Sequence, residues 1–134
     1  MDGFSVDSVR EGPLHRLTPV GELDLATAPI LEREFHAVHP DQTAEMLVVD
    51  LTRLTFMDSS GINLLARLHA LCEDTDRLRV VNGSRAAERI IDISGMRRRL
   101  PIISKDRNPL EPLGDRSRGE PEGARTPRAP VDTE

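Results

Sequence analysis

The sequence predicts an α/β fold, a mixed and largely parallel sheet of about five strands with helices packed on it. Three observations predict it. Short apolar runs rich in β-branched residues recur along the chain, as in Leu47-Val48-Val49 and Val80-Val81. Between them lie longer segments whose apolar residues fall at helical spacing. The two kinds alternate after an opening strand pair, giving the order β-β-α-β-α-β-α-β. With no Trp or Tyr and only 2% aromatic residues, the core is expected to be aliphatic.

Phe4 to Val9 alternates apolar and polar residues and reads as a half-buried edge strand. Glu11-Gly12-Pro13 is a turn signal. Leu14, Leu17 and Val20 mark a second strand, in which Pro19 argues for an edge or a bulge. Gly21-Glu22-Leu23-Asp24 closes it, with Asp24 a candidate cap for the next helix. That helix carries Ala26, Ile30, Leu31, Phe35 and Val38, has Pro29 near its first turn, and stops near His39-Pro40. Leu47, Val48, Val49 and Leu51 form a short apolar run, as expected of a strand covered on both faces. A short polar corner follows. From Gly61 the period becomes helical, with Leu64, Leu65, Leu68, Leu71 and Cys72 on one face. After the polar loop Glu73-Asp74-Thr75-Asp76, Leu78, Val80 and Val81 form a strand ended by Asn82-Gly83. Ser84 then caps a helix bearing Ala87, Ile90, Ile91 and Ile93, and Gly95 ends it. Leu100, Ile102 and Ile103 make the last strand.

The chain has 134 residues, enough for one ordinary domain, placed at residues 1–105. From Asp106 the composition turns rich in Pro, Arg and Glu. Such a segment buries too little apolar surface to offset its ordering entropy, so residues 106–134 are read as a disordered tail. The net charge of -5 gives no general attraction to nucleic acid. No apolar run reaches the ~20 residues of a membrane span, and the N-terminus has no signal-peptide pattern. The single cysteine, Cys72, rules out an intrachain disulfide and fits a reducing compartment. These features predict a cytoplasmic protein without membrane insertion, with monomer as the default state.

The candidate chemistry sits at the corner Asp58-Ser59-Ser60-Gly61. The first N–H groups of a helix lack partners and carry the positive end of its dipole. Two readings compete there. Asp58, Ser59 or Ser60 caps the helix, or one serine accepts a phosphate, adding about 1.5 to 2 negative charges at the helix mouth. Other constellations are weaker. His36 and His39 share a helix face at ligand spacing, but nothing nearby in sequence supplies a third metal ligand. Ser59 and His69 lack the nucleophile-elbow glycine of a hydrolase, since Met57 and Asp58 precede the serine. No phosphate-binding glycine loop is present. Cys72 reads as a small core residue, and Arg97-Arg98-Arg99 as a basic helix end.

The stretch Val48 to Leu65, ending in Met-Asp-Ser-Ser-Gly-Ile-Asn-Leu-Leu, resembles the signature of the STAS domain in its bacterial anti-sigma factor antagonist form. Gly21-Glu22-Leu23-Asp24 is similar to the family's turn before its first helix. Ile91 to Met96 followed by Leu100-Pro101-Ile102 is similar to its closing helix and strand. Three blocks in order make the resemblance specific across Phe4 to Lys105. It implies a single STAS-like domain that is not an enzyme and has no cofactor of its own. The implied partners are an anti-sigma factor with serine kinase activity and a protein phosphatase. By position, Ser59 is the implied phosphorylation site. Asp24, Asp58, Ser60, Gly61, Ile62 and Asn63 are the implied acceptor surroundings and partner surface. STAS-like domains also serve as non-switching adaptor subunits of transporters or stress-signalling complexes, and this alternative stays open.

Overall fold

The protein is described by a computed structural model covering residues 3–113. Its elements in order are β1 (Ser5–Glu11), β2 (Leu14–Leu23), α1 (Ala28–Val38), β3 (Met46–Asp50), β4 (Leu54–Met57), α2 (Ser59–Leu71), β5 (Leu78–Asn82), α3 (Arg85–Ser94), a 3-10 turn (Met96–Arg98) and β6 (Ile102–Ser104). The main path through the sheet is β1-β2-β3-β5-β6. Among the described residues only the β1–β2 pair is antiparallel; β2–β3, β3–β5 and β5–β6 are parallel. The expected fold is therefore the observed one, with six strands in place of about five.

The additional strand is β4. The corner after β3, read from sequence as polar and irregular, contains a four-residue strand that pairs in parallel with the end of β2. β2 thus changes neighbours along its length. Leu14–Leu17 pair with β3, and Gly21–Leu23 pair with β4. Pro19 lies between these two stretches, opposite Val6 of β1. Its missing N–H is tolerated there because β2 has left one neighbour and not yet met the next. The expected edge is therefore an internal gap, and the pairing with β4 shifts register between Gly21 and Glu22.

The helices pack on one face of the sheet. Leu31 and Phe35 of α1, Leu64, Leu65 and Leu68 of α2, and Ala87 and Ile91 of α3 join Leu47 and Val49 of β3, and Leu51 just after it, in one largely aliphatic core. Alternation along β3 sends Met46 and Val48 to the opposite face, where they meet Val81 and Ile103, with Leu14 and Leu113 packed against them. Arg79 lies on this second face and is 1% exposed. Its guanidinium bonds the Asp76 carboxylate at 3.0 Å and reaches the Glu111 carbonyl at 3.5 Å.

Several helix details differ from expectation. α1 begins at Ala28 with Thr27 as its N-cap, after an intervening turn headed by Asp24. Leu71 and Ile93, placed on apolar faces by their spacing, are 46% and 69% exposed. The three arginines 97–99 follow α3 in and just after the 3-10 turn, beyond Gly95, which ends the helix at φ +74°. Ser84 caps α3 as expected, accepting from the Ala87 N–H at 3.0 Å. The described chain continues past Lys105. The Arg107 guanidinium donates to the Pro112 carbonyl at 2.7 Å, and Leu113 packs on the sheet. The expected tail begins at Asp106; residues 106–113 lie against the domain through these contacts, and residues 114–134 lie outside the described residues.

Candidate functional site

The site forms at the ends of two parallel strands. Leu23 of β2 pairs with Met57 of β4, so Asp24 and Asp58, the next residue of each chain segment, emerge side by side. The Asp58 N–H donates to the Leu23 carbonyl at 3.3 Å and fixes this junction. Parallel neighbours in a sheet lie about 4.8 Å apart. Two carboxylates therefore stand at one edge before any modification is added.

Each carboxylate has a local structural task. Asp24 Oδ1 accepts from the Ala26 N–H at 3.0 Å and the Thr27 N–H at 3.1 Å, closing the turn ahead of α1. The Thr27 hydroxyl donates to the Glu22 carbonyl at 2.7 Å and accepts from the Asp24 N–H at 2.9 Å. Asp58 is the N-cap of α2, extended at φ -117°, and its Oδ1 accepts from the Ser60 N–H at 2.9 Å. Its main-chain carbonyl accepts from Gly61 N at 3.0 Å and from Ile62 N at 3.4 Å. Of the two readings of this corner, the capping role belongs to Asp58 and leaves both serines free of it.

Ser59 is the first residue of α2 and is exposed. Its hydroxyl has no hydrogen-bond partner among the described residues. Ser60 is half-buried and Asn63 is exposed, and both line a small cleft with Leu25, Pro29 and Arg67. Gly61 is buried for a packing reason. A Cβ there meets Met57 Cγ at 2.6 Å and Leu23 Cδ2 at 3.0 Å, so only glycine lets α2 start this close to the strand ends. Ile62, implied as part of the partner surface, is 4% exposed and belongs to the main core. Its contribution is to anchor the first turn of α2. The structure thus brings Asp24, Asp58, Ser59, Ser60 and Asn63 to one edge and puts Gly61 and Ile62 beneath it.

Exposed apolar residues surround this edge. Leu25 is 79% exposed in the turn after Asp24, and Phe56 is 44% exposed on β4. Helical periodicity flagged neither. The signal available for Phe56 was the short apolar run Leu54, Phe56, Met57 inside what read as a polar corner.

Elsewhere, the remaining candidates have structural surroundings. His36 faces Glu32 at 3.9 Å and His39 stacks on Phe35 at 5.6 Å between ring centroids. Cys72 is buried, and burial pushes its thiol pKa up, which disfavours the reactive thiolate. No helix among the described residues is long and apolar enough to cross a membrane.

The fold and this edge define an α/β domain with a serine-bearing helix mouth at the end of a mixed sheet. A family profile described as "Mlab, STAS domain" matches residues 10–104. The chain belongs to the STAS domain family. It is similar to an anti-sigma F factor antagonist of Paenibacillus polymyxa, 29% identical over 94 residues that cover 69% of this chain and 80% of the relative. Among solved structures it resembles an anti-sigma factor antagonist from Mycobacterium paratuberculosis, with TM-score 0.69 and 27% identity over 75% of this chain and 85% of the other. The fold is also that of the Bacillus cell fate determinant SpoIIAA in its phosphorylated form, with TM-score 0.55 and 19% identity over 76% of this chain and 90% of the other.

Proposed function

We propose that this chain is an anti-sigma factor antagonist switched by a phosphate on Ser59. Unmodified, it docks through the Asp24–Ser59 edge on an anti-sigma factor that is also a serine kinase, and so frees a sigma factor for transcription. The kinase's ATP donates its γ-phosphoryl group to Ser59 Oγ, the hydroxyl loses its proton, and ADP leaves with the kinase. A phosphatase hydrolyses the ester with water, releases phosphate and restores the binder. This chain supplies an acceptor and a surface, performs no catalysis and needs no cofactor.

One observation carries the reading. Ser59 is exposed at the mouth of α2, its hydroxyl holds no hydrogen bond among the described residues, and it stands beside two carboxylates already committed to local turns. A phosphate there gains from the helix dipole, so the fold accepts it. It also adds charge to an edge that is already negative, which repels an acidic partner surface and makes covering the edge costly. Loss of one or two well-packed contacts amounts to a few kcal/mol, or roughly two to three decades in affinity. No refolding is needed.

The test compares Ser59→Ala and Ser59→Asp in binding to the cognate anti-sigma factor. Ser59→Ala is expected to bind as the unmodified protein does, and Ser59→Asp to bind at least tenfold more weakly. Equal binding by the two sinks the charge switch. Phosphopeptide mass spectrometry after incubation with the kinase separates this reading from that of a non-switching adaptor, in which Ser59 stays unmodified.

A further inference from the structure

Beside the serine-bearing edge runs a groove that the phosphate switch leaves unused. It holds about 470 Å³ between β4 and α3 and is lined by Phe56, Met57, Arg85, Arg89, Ile90 and Ile93. Its apolar walls are unusually open. Phe56 is 44% and Ile93 69% exposed, although both stand on regular elements. α3 turns Ala87 and Ile91 into the core, and the same helical turn leaves Ile90 and Ile93 on the flank towards β4.

The rim is basic. Arg85 and Arg89 lie one turn apart on α3, and neither has an ion-pair or hydrogen-bond partner among the described residues. Arg10, Arg16, Arg53, Arg67, Arg79 and Arg97 each hold a carboxylate. In a chain of net charge -5, two unpaired guanidinium groups over apolar surface are a local reversal of sign.

We propose that this groove holds an amphipathic helix of a partner protein. Its aliphatic side chains insert between Phe56 and Ile93, and two of its carboxylates, one turn apart, meet Arg85 and Arg89. Arg85 to Ile93 spans about 12 Å of α3, or two turns at 1.5 Å per residue. A second helix packed alongside repeats its side chains with the same pitch, so carboxylates at i and i+4 match guanidinium groups at i and i+4. The apolar contact supplies affinity and the charges set register and partner choice. Thr55 borders both this groove and the cleft beneath Asp24, so the two surfaces adjoin. The inference rests on reading that edge as a protein-docking surface and makes docking two-part, with the groove holding the partner and Ser59 gating it.

The test uses the whole protein and a defined probe, a helical peptide of about 15 residues with leucines on one face flanked by glutamates one turn apart. Amide chemical shifts are followed during titration. Changes are expected at Thr55–Met57 and Arg85–Ile93, with affinity falling as salt rises. Arg85→Glu/Arg89→Glu is expected to weaken binding by about tenfold or more, and a lysine-for-glutamate peptide to recover it on that variant. Both arginines are exposed and neither joins the core, so the variant keeps its fold; at Arg85, in the first turn of α3, a glutamate is also favoured by the helix dipole. Absence of shifts in the groove, or equal binding by the double variant, overturns the proposal. A groove that binds the peptide while Ser59→Asp and Ser59→Ala bind the anti-sigma factor alike leaves the groove standing and removes the switch.

Discussion

Ser59 and Gly61 lie two residues apart in the same first turn, yet they answer to different constraints. Ser59 touches nothing that packing needs, so its substitutions act on docking. Ser59→Asp adds charge at a helix N-terminus, where it stabilises by about 0.3 to 1 kcal/mol. Its melting temperature is therefore expected to stay level or rise while docking weakens, and calorimetry checks this. Gly61 answers to packing. Gly61→Ala gains up to about 1 kcal/mol in helix propensity but drives a methyl into Met57 at 2.6 Å. Overpacking costs about 1 to 3 kcal/mol. A net loss of stability on the order of 1 kcal/mol is expected in urea unfolding, and Gly61→Ala should cost less when made in a Met57→Ala background, which removes the clashing atoms. Asp58→Ala removes the cap on α2 and is expected to lower stability by about 1 kcal/mol, with Asp58→Asn retaining most of it. Of these residues, the sequence motif alone marks Asp58, Ser59 and Gly61. It does not reveal that Asp58 alone caps the helix, because three adjacent residues are all competent to do so. The motif puts Ile62 on the partner surface, whereas packing places it in the core.

α1 and α2 meet through a link visible only in three dimensions. The Arg67 guanidinium donates to Glu32 at 3.2 and 3.3 Å. That hydrogen bond, with burial opposing it, holds the Glu32 carboxyl below its ordinary pKa. The pair's stabilisation is therefore present above the ordinary glutamate range and is lost as pH falls through the lowered folded value. An exposed pair of this kind contributes at most about 1 kcal/mol. Arg67→Ala is expected to return the Glu32 pKa towards its ordinary value, as read by NMR titration of its side-chain carboxyl. The strand that periodicity missed also belongs to this scale. β4 has only four residues, and its burial runs buried-exposed-exposed-buried. Neither strict alternation nor a continuous apolar run marks such a segment. Pairing with β2 makes it a strand, and that pairing sets Asp24 beside Asp58.

For the whole molecule, the two sheet faces are covered by different means. Three helices cover one, while residues 106–113 lie against part of the other through Leu113 and the Arg79 contact to Glu111. A chain ending at Lys105 exposes Met46, Val48, Val81 and Ile103 further and leaves Arg79 with fewer partners. It is expected to be about 1 to 2 kcal/mol less stable than one ending at Leu113, measured by denaturant unfolding of both. Composition gives no sign of these contacts, because apolar residues are few in this segment and the contact with the sheet is made by Leu113.

By itself the sequence determined the α/β class, the order of the longer elements, the aliphatic core and the corner that carries the serine. Those follow from local periodicity and from residues whose chemistry is the same in any surroundings. Tertiary structure alone decided that two carboxylates from distant segments share one edge, that Ile62 faces inward, that Phe56 and Ile93 stay in solvent, and that Leu113 finds a place on the sheet. Each of those outcomes depends on which surfaces meet across long stretches of chain, and spacing along one segment carries no information about the neighbour it will pack against.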